Sequence, residues 1–325
     1  MNSLKFLQRK EKDYSRFNII KDLVKDVNIK NEIYILMPFS KNVFLKNFFK
    51  RYRIINDFFI SNYDTYVYDR KKIGKLNPRA WIKFLQDYIN FKFSKYLLSD
   101  TNEHFLYWQS LFGKFNGKHL VLPVLADKNI YYPIQNDIKN EKIKVLFYGS
   151  FIPLHGIDVI LHAFSILEKD GVQFDGEIVG SGQTYKEYKR LFDKLDLKQV
   201  KMDGEFIAEN DLAKIIRSSD IVLGVFGSSN KAKSVVPNKA YQALACKKPL
   251  ITMHSKAIYE FFDDNEIMMC ENSPEILAKS IKELIKNSDK RESLAQNGYS
   301  KFICLYEKTK IEFENFIKAI DEEIG

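Results

Sequence analysis

From residue 144 onward the chain alternates short apolar runs with longer segments of helical spacing. KVLFYG (144–149) is a compact apolar run of buried-strand type. It is followed by GIDVILHAFSILEKDG (156–171), with apolar residues at Ile157, Ile160, Leu161, Phe164 and Leu167, one face of a helix. GEIVGSG (176–182) reads as a strand running into a Gly-rich turn, TYKEYKRLFDKLDL as a helix, VKMDGEF as a strand and ENDLAKIIRSSD as a helix with an acidic start. IVLGVF, PNKAYQALACK and PLITM continue the alternation, and helices at SPEILAKSIKELIKN (273–287), DKRESLAQNGYSKFICLY and KTKIEFENFIKAIDEEI close the chain. Strands separated by single helices imply a parallel, doubly wound sheet, a Rossmann-like domain.

The first part is less regular. NEIYILMPFS (31–40) and YRIINDFFIS (52–61) read as strands, with the basic aromatic stretch KNVFLKNFFKRYR between them. RAWIKFLQDYINFKFSKYLLS (79–99) reads as one long helix, followed by a short strand, another helix and the strand KHLVLPVLAD (118–127). The first 30 residues lack an opening apolar strand with a Gly-rich turn. The expected class is therefore α/β, two Rossmann-like domains facing a cleft, the N-terminal one shortened. The polar connector IYYPIQNDIKNEK (130–142) sets the expected boundary, with domains 1–135 and 136–325.

Charge sharpens this division. Of the net +9, residues 1–135 carry 24 Lys/Arg against 12 Asp/Glu, and residues 136–325 carry 27 against 30. The basic excess of the first part points to an anionic partner. Lys/Arg interleaved with Phe, Tyr and Trp in KNVFLKNFFKRYR and RAWIKFLQDYINFKFSKYL suits an anionic membrane surface. No nucleic-acid module is readable, so no nucleic acid is expected. No apolar run spans a bilayer and the N-terminus lacks a signal-like apolar centre, so the expected location is cytoplasmic, peripheral on the inner membrane face. Cys246, Cys270 and Cys304 and the five histidines are scattered without ligand spacing, and no metal site is expected.

Two segments have the chemistry of an anion site. FYGSFIPLHG (147–156) leaves a strand through Gly149-Ser150 and enters a helix behind His155-Gly156, exposing backbone N–H groups at the helix N-terminus. In VVPNKAYQALA the helix opens at Pro237-Asn238, and Lys239 stands in the first turn, where a cation opposes the dipole. A bound diphosphate accounts for such a lysine; a solvated surface position is the other reading.

These segments also resemble the GT-B nucleotide-sugar glycosyltransferases, most closely glycosyltransferase family 4, the group 1 glycosyl transferases. The resemblance runs over roughly residues 95–310. It is carried in order by SKYLLSDTNEHFLYWQSLFG, HLVLPVLADKNIYYP, FYGSFIPLHGIDVILHAF, EIVGSGQTY, LAKIIRSSDIVLGVF and VVPNKAYQALACKKPLIT. It implies sugar transfer from a nucleoside-diphosphate sugar to a saccharide or lipid-linked saccharide in surface-glycan synthesis, retaining and metal-independent, with no cofactor. Gly149, Ser150, His155 and Gly156 would then meet the diphosphate, as would Pro237, Asn238 and Lys239. Gly180 and Gly182 would line the nucleotide, or form a plain turn; Phe206 would flank the base, or be a core aromatic. The family's usual Arg and Lys in the first loop are Ser150 and His155 here, and its two glutamates seven residues apart are Ser234 and Gln242. Gln242 would bond the ribose. By position after the second strand Asp57 is the expected catalytic residue near the acceptor, with Asp64, Asp69 and Arg70 next. The alternatives are a catalytically degenerate donor-binding protein and a nucleotide-sugar epimerase.

Overall fold

A computed structural model of the protein describes residues 3–9, 14–134 and 141–325. The chain forms two compact units. Unit 1 comprises Met1–Val124, Ser234–Val236 and Tyr306–Gly325, and unit 2 comprises Leu125–Lys233 and Pro237–Leu305. The boundary expected at 135/136 lies outside the described residues. The chain leaves unit 1 at Val124, and the closing residues 306–325, expected with the second domain, belong to the first.

Unit 1 is built on β1 (Leu4–Leu7), α1 (Ser15–Leu23), β2 (Ile33–Leu36), α2 (Lys41–Lys46), β3 (Ile54–Asp57), α3 (Pro78–Phe93), β4 (Tyr96–Ser99), α4 (Asn102–Phe112) and β5 (Lys118–Val121). Its five parallel strands lie in the order β1-β2-β3-β4-β5, so the sheet never reverses direction. The three inner strands are buried along their whole length, as apolar runs in a parallel sheet require. An opening strand is present at Leu4–Leu7, on the sheet edge and without a glycine turn. The long helix expected over 79–99 instead ends at Phe93. Ser94 turns extended and its hydroxyl donates to Asn90 O at 2.6 Å, which frees Tyr96–Ser99 to pair with β3 and β5.

Unit 2 contains β6 (Lys144–Tyr148), α5 (Ile157–Lys169), β7 (Asp175–Val179), α6 (Tyr185–Leu195), β8 (Val200–Asp203), α7 (Glu209–Ser218) and β9 (Ile221–Leu223). Then come α8 (Asn230–Ser234), α9 (Asn238–Ala245), β10 (Leu250–Met253), α10 (Lys256–Tyr259), β11 (Met268–Cys270), α11 (Pro274–Lys286) and α12 (Ser288–Ile324). Its parallel sheet runs β8-β7-β6-β9-β10-β11. In order of appearance that is 3-2-1-4-5-6, the doubly wound arrangement, with the reversal between β6 and β9. The five apolar positions read on α5 are all fully buried. Each is worth about 1.5–3 kcal/mol of burial, which fixes the helix behind the loop that follows β6.

The two closing helices expected from the sequence are one, α12, because no Gly or Pro interrupts the stretch around Leu305–Lys308. The glycine it does contain, Gly298, lets the helix lie close to α9, since a Cβ there would meet Leu244. The far end of α12 belongs to unit 1. There Phe313, Ile317 and Ile320 are buried, and the Asp321 carboxylate accepts the N–H groups of Lys30 and Asn31 at 2.9 and 2.7 Å. Glu323 accepts from Tyr96 Oη and Lys118 Nζ. Bonds from Lys118, Lys95 and Tyr96 hold its carboxyl down at about 2.

Thr101 explains why the short strip Ser234–Val236 joins unit 1. Its hydroxyl caps α4, accepting from His104 N at 2.9 Å, and also donates to Ser234 O. Thr101→Val is expected to cost about 1–2 kcal/mol in chemical denaturation. A loss of a few tenths would mean that neither bond holds the strip.

Candidate functional site

In a doubly wound sheet the ligand crevice opens at the carboxyl ends of the strands where the order reverses. In unit 2 that point lies between β6 and β9, beyond Tyr148 and Leu223. After β6 the chain passes Gly149 (φ 140°) and Ser150, makes a single 3-10 turn at Pro153–His155, and enters α5 through Gly156 in the left-handed region (φ 60°). Gly156 is obligatory on two counts, its φ and the Phe226 carbonyl that occupies the place of a Cβ.

Lys239 lies in the first turn of α9 and is 4% exposed. Its side chain is almost wholly covered. Nζ sits 3.8 Å from the centre of the Phe147 ring and 3.4 Å from Gly224 O, beyond the end of β9. The ring face is attractive to a cation, by roughly 2 kcal/mol when desolvated. No carboxylate pairs with it among the described residues. Burial holds the ammonium well below the usual lysine range. Such a cation is costly to bury and ready to accept an anion.

Three predicted residues converge here. A Cβ placed on Gly149 would lie 3.0 Å from His155 Cε1 and 3.3 Å from Lys239 Nζ, so the bare glycine backbone, the imidazole edge and the ammonium face one point. His155 donates Nδ1–H to Ser150 O, since a carbonyl only accepts, and this fixes the ring. Its Nε2 then carries a proton for an anion only as imidazolium. The first N–H groups of α9, from Asn238 and Lys239, have no intrahelical partner and add the positive end of the dipole. Pro237 is the residue before the helix, with extended backbone, and not its first helical residue as the sequence implied.

Beside this point is a cavity of about 170 Å³, lined among others by Tyr148, Gly149, Gly180, Glu205, Phe206 and Ile207. Gly180 (φ 130°) carries no Cβ where Gly149 O comes close, and Gly182 (φ 154°) none where Phe151 backbone lies 2.8 Å away. The two glycine loops therefore stack directly. Phe206 is 90% exposed at the cavity wall, a free aromatic face and not a core residue. Glu205 and Ile207, its neighbours, were not singled out in the sequence.

Gln242 stands in a buried chain of hydrogen bonds. Its Oε1 accepts from Tyr148 Oη at 3.0 Å and its Nε2 donates to Tyr131 Oη at 2.9 Å, so both ends of the amide are engaged in a buried chain. It fixes Tyr148 under the cavity and does not present itself to a ribose.

Asp57 belongs to unit 1, where it ends β3 at 3% exposure. Both its oxygens are held by the Arg16 guanidinium, at 3.0 and 3.1 Å, and Arg16 also donates to Pro123 O and Leu122 O. Burial raises the carboxyl, against the pull of Arg16. The geometry is that of a buried fork-to-fork pair. Asp64 and Asp69 are likewise buried, in a π-helical turn, with Asp64 accepting from Tyr107 Oη at 2.7 Å. Among the described residues no group of three or more His, Cys, Asp or Glu is placed to hold a metal ion.

The class this unit defines is a doubly wound α/β fold with a buried lysine beside its reversal point. Comparison with known proteins gives the family. The model of "Glycosyl transferases group 1" matches residues 132–301, more than half of the chain, and the protein belongs to that family. Two uncharacterized glycosyltransferases of Methanocaldococcus jannaschii are similar: MJ1178, 28% identical over 155 residues, and MJ1069, 28% identical over 168 residues. These matches cover 47% and 51% of this chain and 41% of each relative, so the chain matches about two-fifths of the relatives' length. Among solved structures, sucrose-phosphate synthase from Thermosynechococcus elongatus superposes with a TM-score of 0.69 at 13% identity, covering 89% of this chain and 74% of that one. Anabaena Alr3699/HepE in complex with UDP-glucose superposes with 0.64 at 14% identity, covering 96% and 99%. At such identities the likeness is one of fold, two Rossmann-like units of the GT-B kind.

Proposed function

We propose that the protein is a glycosyltransferase that moves a sugar from a nucleoside diphosphate to a saccharide or lipid-linked saccharide in surface-glycan synthesis. The observation that carries this is Lys239, a buried cation without a carboxylate partner, aimed with Gly149 and His155 at the reversal point of unit 2. A donor diphosphate supplies the missing negative charge, and the cavity beside it takes the nucleoside, with the base against Phe206. That the solved HepE binds UDP-glucose agrees with this donor class.

In the reaction the bond from the anomeric carbon to the diphosphate oxygen breaks, and one to the acceptor hydroxyl oxygen forms. Charge growing on the leaving diphosphate is met by the Lys239 ammonium and the N–H groups opening α9, with the His155 ring edge beside them. With the Asp57 carboxylate bound to Arg16, the acceptor proton is assigned to the leaving phosphate oxygen, on the same sugar face, which gives retention. The reading needs neither a resident metal nor a cofactor.

The test is a thermal-shift series with UDP, GDP, ADP and CMP, followed by sugar release from donors of the protecting nucleotide. A nucleotide at about 100 times its Kd adds roughly 2.7 kcal/mol of stability. No protection by any of them would overturn the site. Protection without sugar release would instead favour a donor-binding protein.

A further inference from the structure

The helix α3 buries Ala80 and Phe91, but it also buries two polar residues and leaves four large apolar side chains outside. Its buried residues include Asp87 and Asn90, both 0% exposed, while Trp81, Ile82, Leu85 and Phe93 stand 62, 60, 56 and 47% exposed. A helix packed on a soluble unit shows the opposite polarity. The Asp87 carboxylate and the Asn90 Nδ2 group are bonded, while Asn90 Oδ1 has no hydrogen-bond partner among the described residues. The Asp87 carboxylate accepts from Lys41 Nζ, from Ser61 Oγ at 2.7 Å and from Tyr63 N at 2.7 Å, and Asn90 Nδ2 donates to Gln86 O at 2.9 Å. These bonds fix which face of the helix turns inward and so keep its apolar stripe outside.

The neighbouring elements extend that stripe. Phe48 packs on Phe93 with ring centres 5.6 Å apart, which brings the turn Phe48–Arg53 against the end of α3; from this turn Phe49 projects 94% exposed and Tyr52 52% exposed. Leu76, just before α3, is 90% exposed. The charges around these side chains are of one sign. All four carboxylates in residues 41–93, Asp57, Asp64, Asp69 and Asp87, are buried. The exposed charged side chains of this stretch are all basic: Lys46, Lys50, Arg53, Lys71, Lys72, Lys75 and Arg79.

We propose that this face of unit 1, the outer side of α3 with the tips of Phe49, Tyr52 and Leu76, seats on an anionic lipid bilayer. Aliphatic and aromatic tips enter the interface, and the cations meet the lipid phosphates. Charge selects this occupant over two others. A second copy of the chain would bring the same cations face to face, since its exposed charges here are also all positive. A single-stranded nucleic acid would satisfy the cations and stack on aromatics, yet has no use for Ile82, Leu85 and Leu76. The proposal locates the membrane surface at which a lipid-linked acceptor would be met. It is drawn from unit 1 alone, so lipid binding and sugar transfer fail or succeed separately.

The experiment is co-sedimentation of the full chain with phosphatidylcholine vesicles, with and without phosphatidylglycerol. The chain has two tryptophans, and Trp108 is fully buried, so a blue shift of emission on adding vesicles reports Trp81 entering lipid. We expect binding at least about tenfold tighter to the anionic vesicles, weakened by salt, with the emission shift. Trp81→Ser/Leu85→Ser and Lys71→Glu/Lys72→Glu/Lys75→Glu are each expected to lose tenfold or more. These side chains are exposed, so melting temperature and nucleotide protection should stay unchanged. No pelleting with either vesicle would overturn the proposal, as would undiminished binding by both variants. So would a stable dimer, or a single-stranded oligonucleotide, that buries Trp81 in place of lipid.

Discussion

Lys239→Met is expected to make the protein more stable and unable to hold a nucleoside diphosphate. The folded chain buries this lysine with a ring and a carbonyl for company, and methionine fills the same space without a charge to desolvate. Without nucleotide the variant should gain about 1 kcal/mol or more, a rise of roughly 2–4 °C in Tm for each kcal/mol. With nucleotide it should lose about 2–5 kcal/mol of binding, a Kd raised thirtyfold or more. Lys233→Met, on the exposed side of α8, should change neither quantity.

The same lysine sets a pH dependence. Its folded value is depressed by burial, so between that value and the ordinary lysine value the unfolded chain holds a proton that the folded chain lacks. Stability without nucleotide therefore rises with pH across that window. Nucleotide affinity runs the other way, falling as pH rises through the depressed value, because the anion needs the ammonium. Binding should also take up a proton, visible as a buffer-dependent heat in titration calorimetry. If affinity and proton uptake in the wild type match those of Lys239→Met, this lysine is not the diphosphate's partner.

Asp57→Ala is expected to unfold unit 1 rather than to slow a reaction. Removing the carboxylate strands a guanidinium at 4% exposure with two backbone carbonyls as its remaining partners. Breaking a buried pair from one side costs about 3–5 kcal/mol. Replacing both partners, as in Arg16→Met/Asp57→Leu, should recover much of that loss. A catalytic carboxylate would behave otherwise: Asp57→Ala would keep its stability and lose sugar transfer, and the double variant would restore nothing. Denaturant unfolding of the two variants, read beside donor turnover, separates the cases.

How much of this was legible follows from where each signal sits along the chain. Unit 2 announces itself because its strands β6, β9 and β10 are buried almost throughout, so apolar runs and helical periods alternate cleanly; the short α8, α10 and β11 were not read. Lys239 was readable as a misplaced cation because helix polarity is a local rule. Gln242 was not, for its partners Tyr131 and Tyr148 are 111 and 94 residues away and no local pattern points to them. The Arg16 partner of Asp57 was hidden for the same reason, lying 41 residues earlier. In α3 the periodicity gave the helix but not its direction. A stripe such as Trp81, Ile82 and Leu85 is ordinarily a core; here the bonds of Asp87 and Asn90, with Phe91 in the core and Phe84 and Tyr88 packed against it, turn it outward.

The division of the chain into units has a consequence for how the protein is made. Unit 1 is begun first, yet it lacks its last twenty residues until Tyr306–Gly325 emerge. Unit 2 has all of its residues once Leu305 is out, so the half started second is complete first. Until that segment is made, the surfaces that will cover Phe313, Ile317 and Ile320 stand open on a nascent chain that already carries every residue of unit 2. A chain cut between Leu305 and the end of that segment would thus keep every residue of unit 2 and leave unit 1 unsealed.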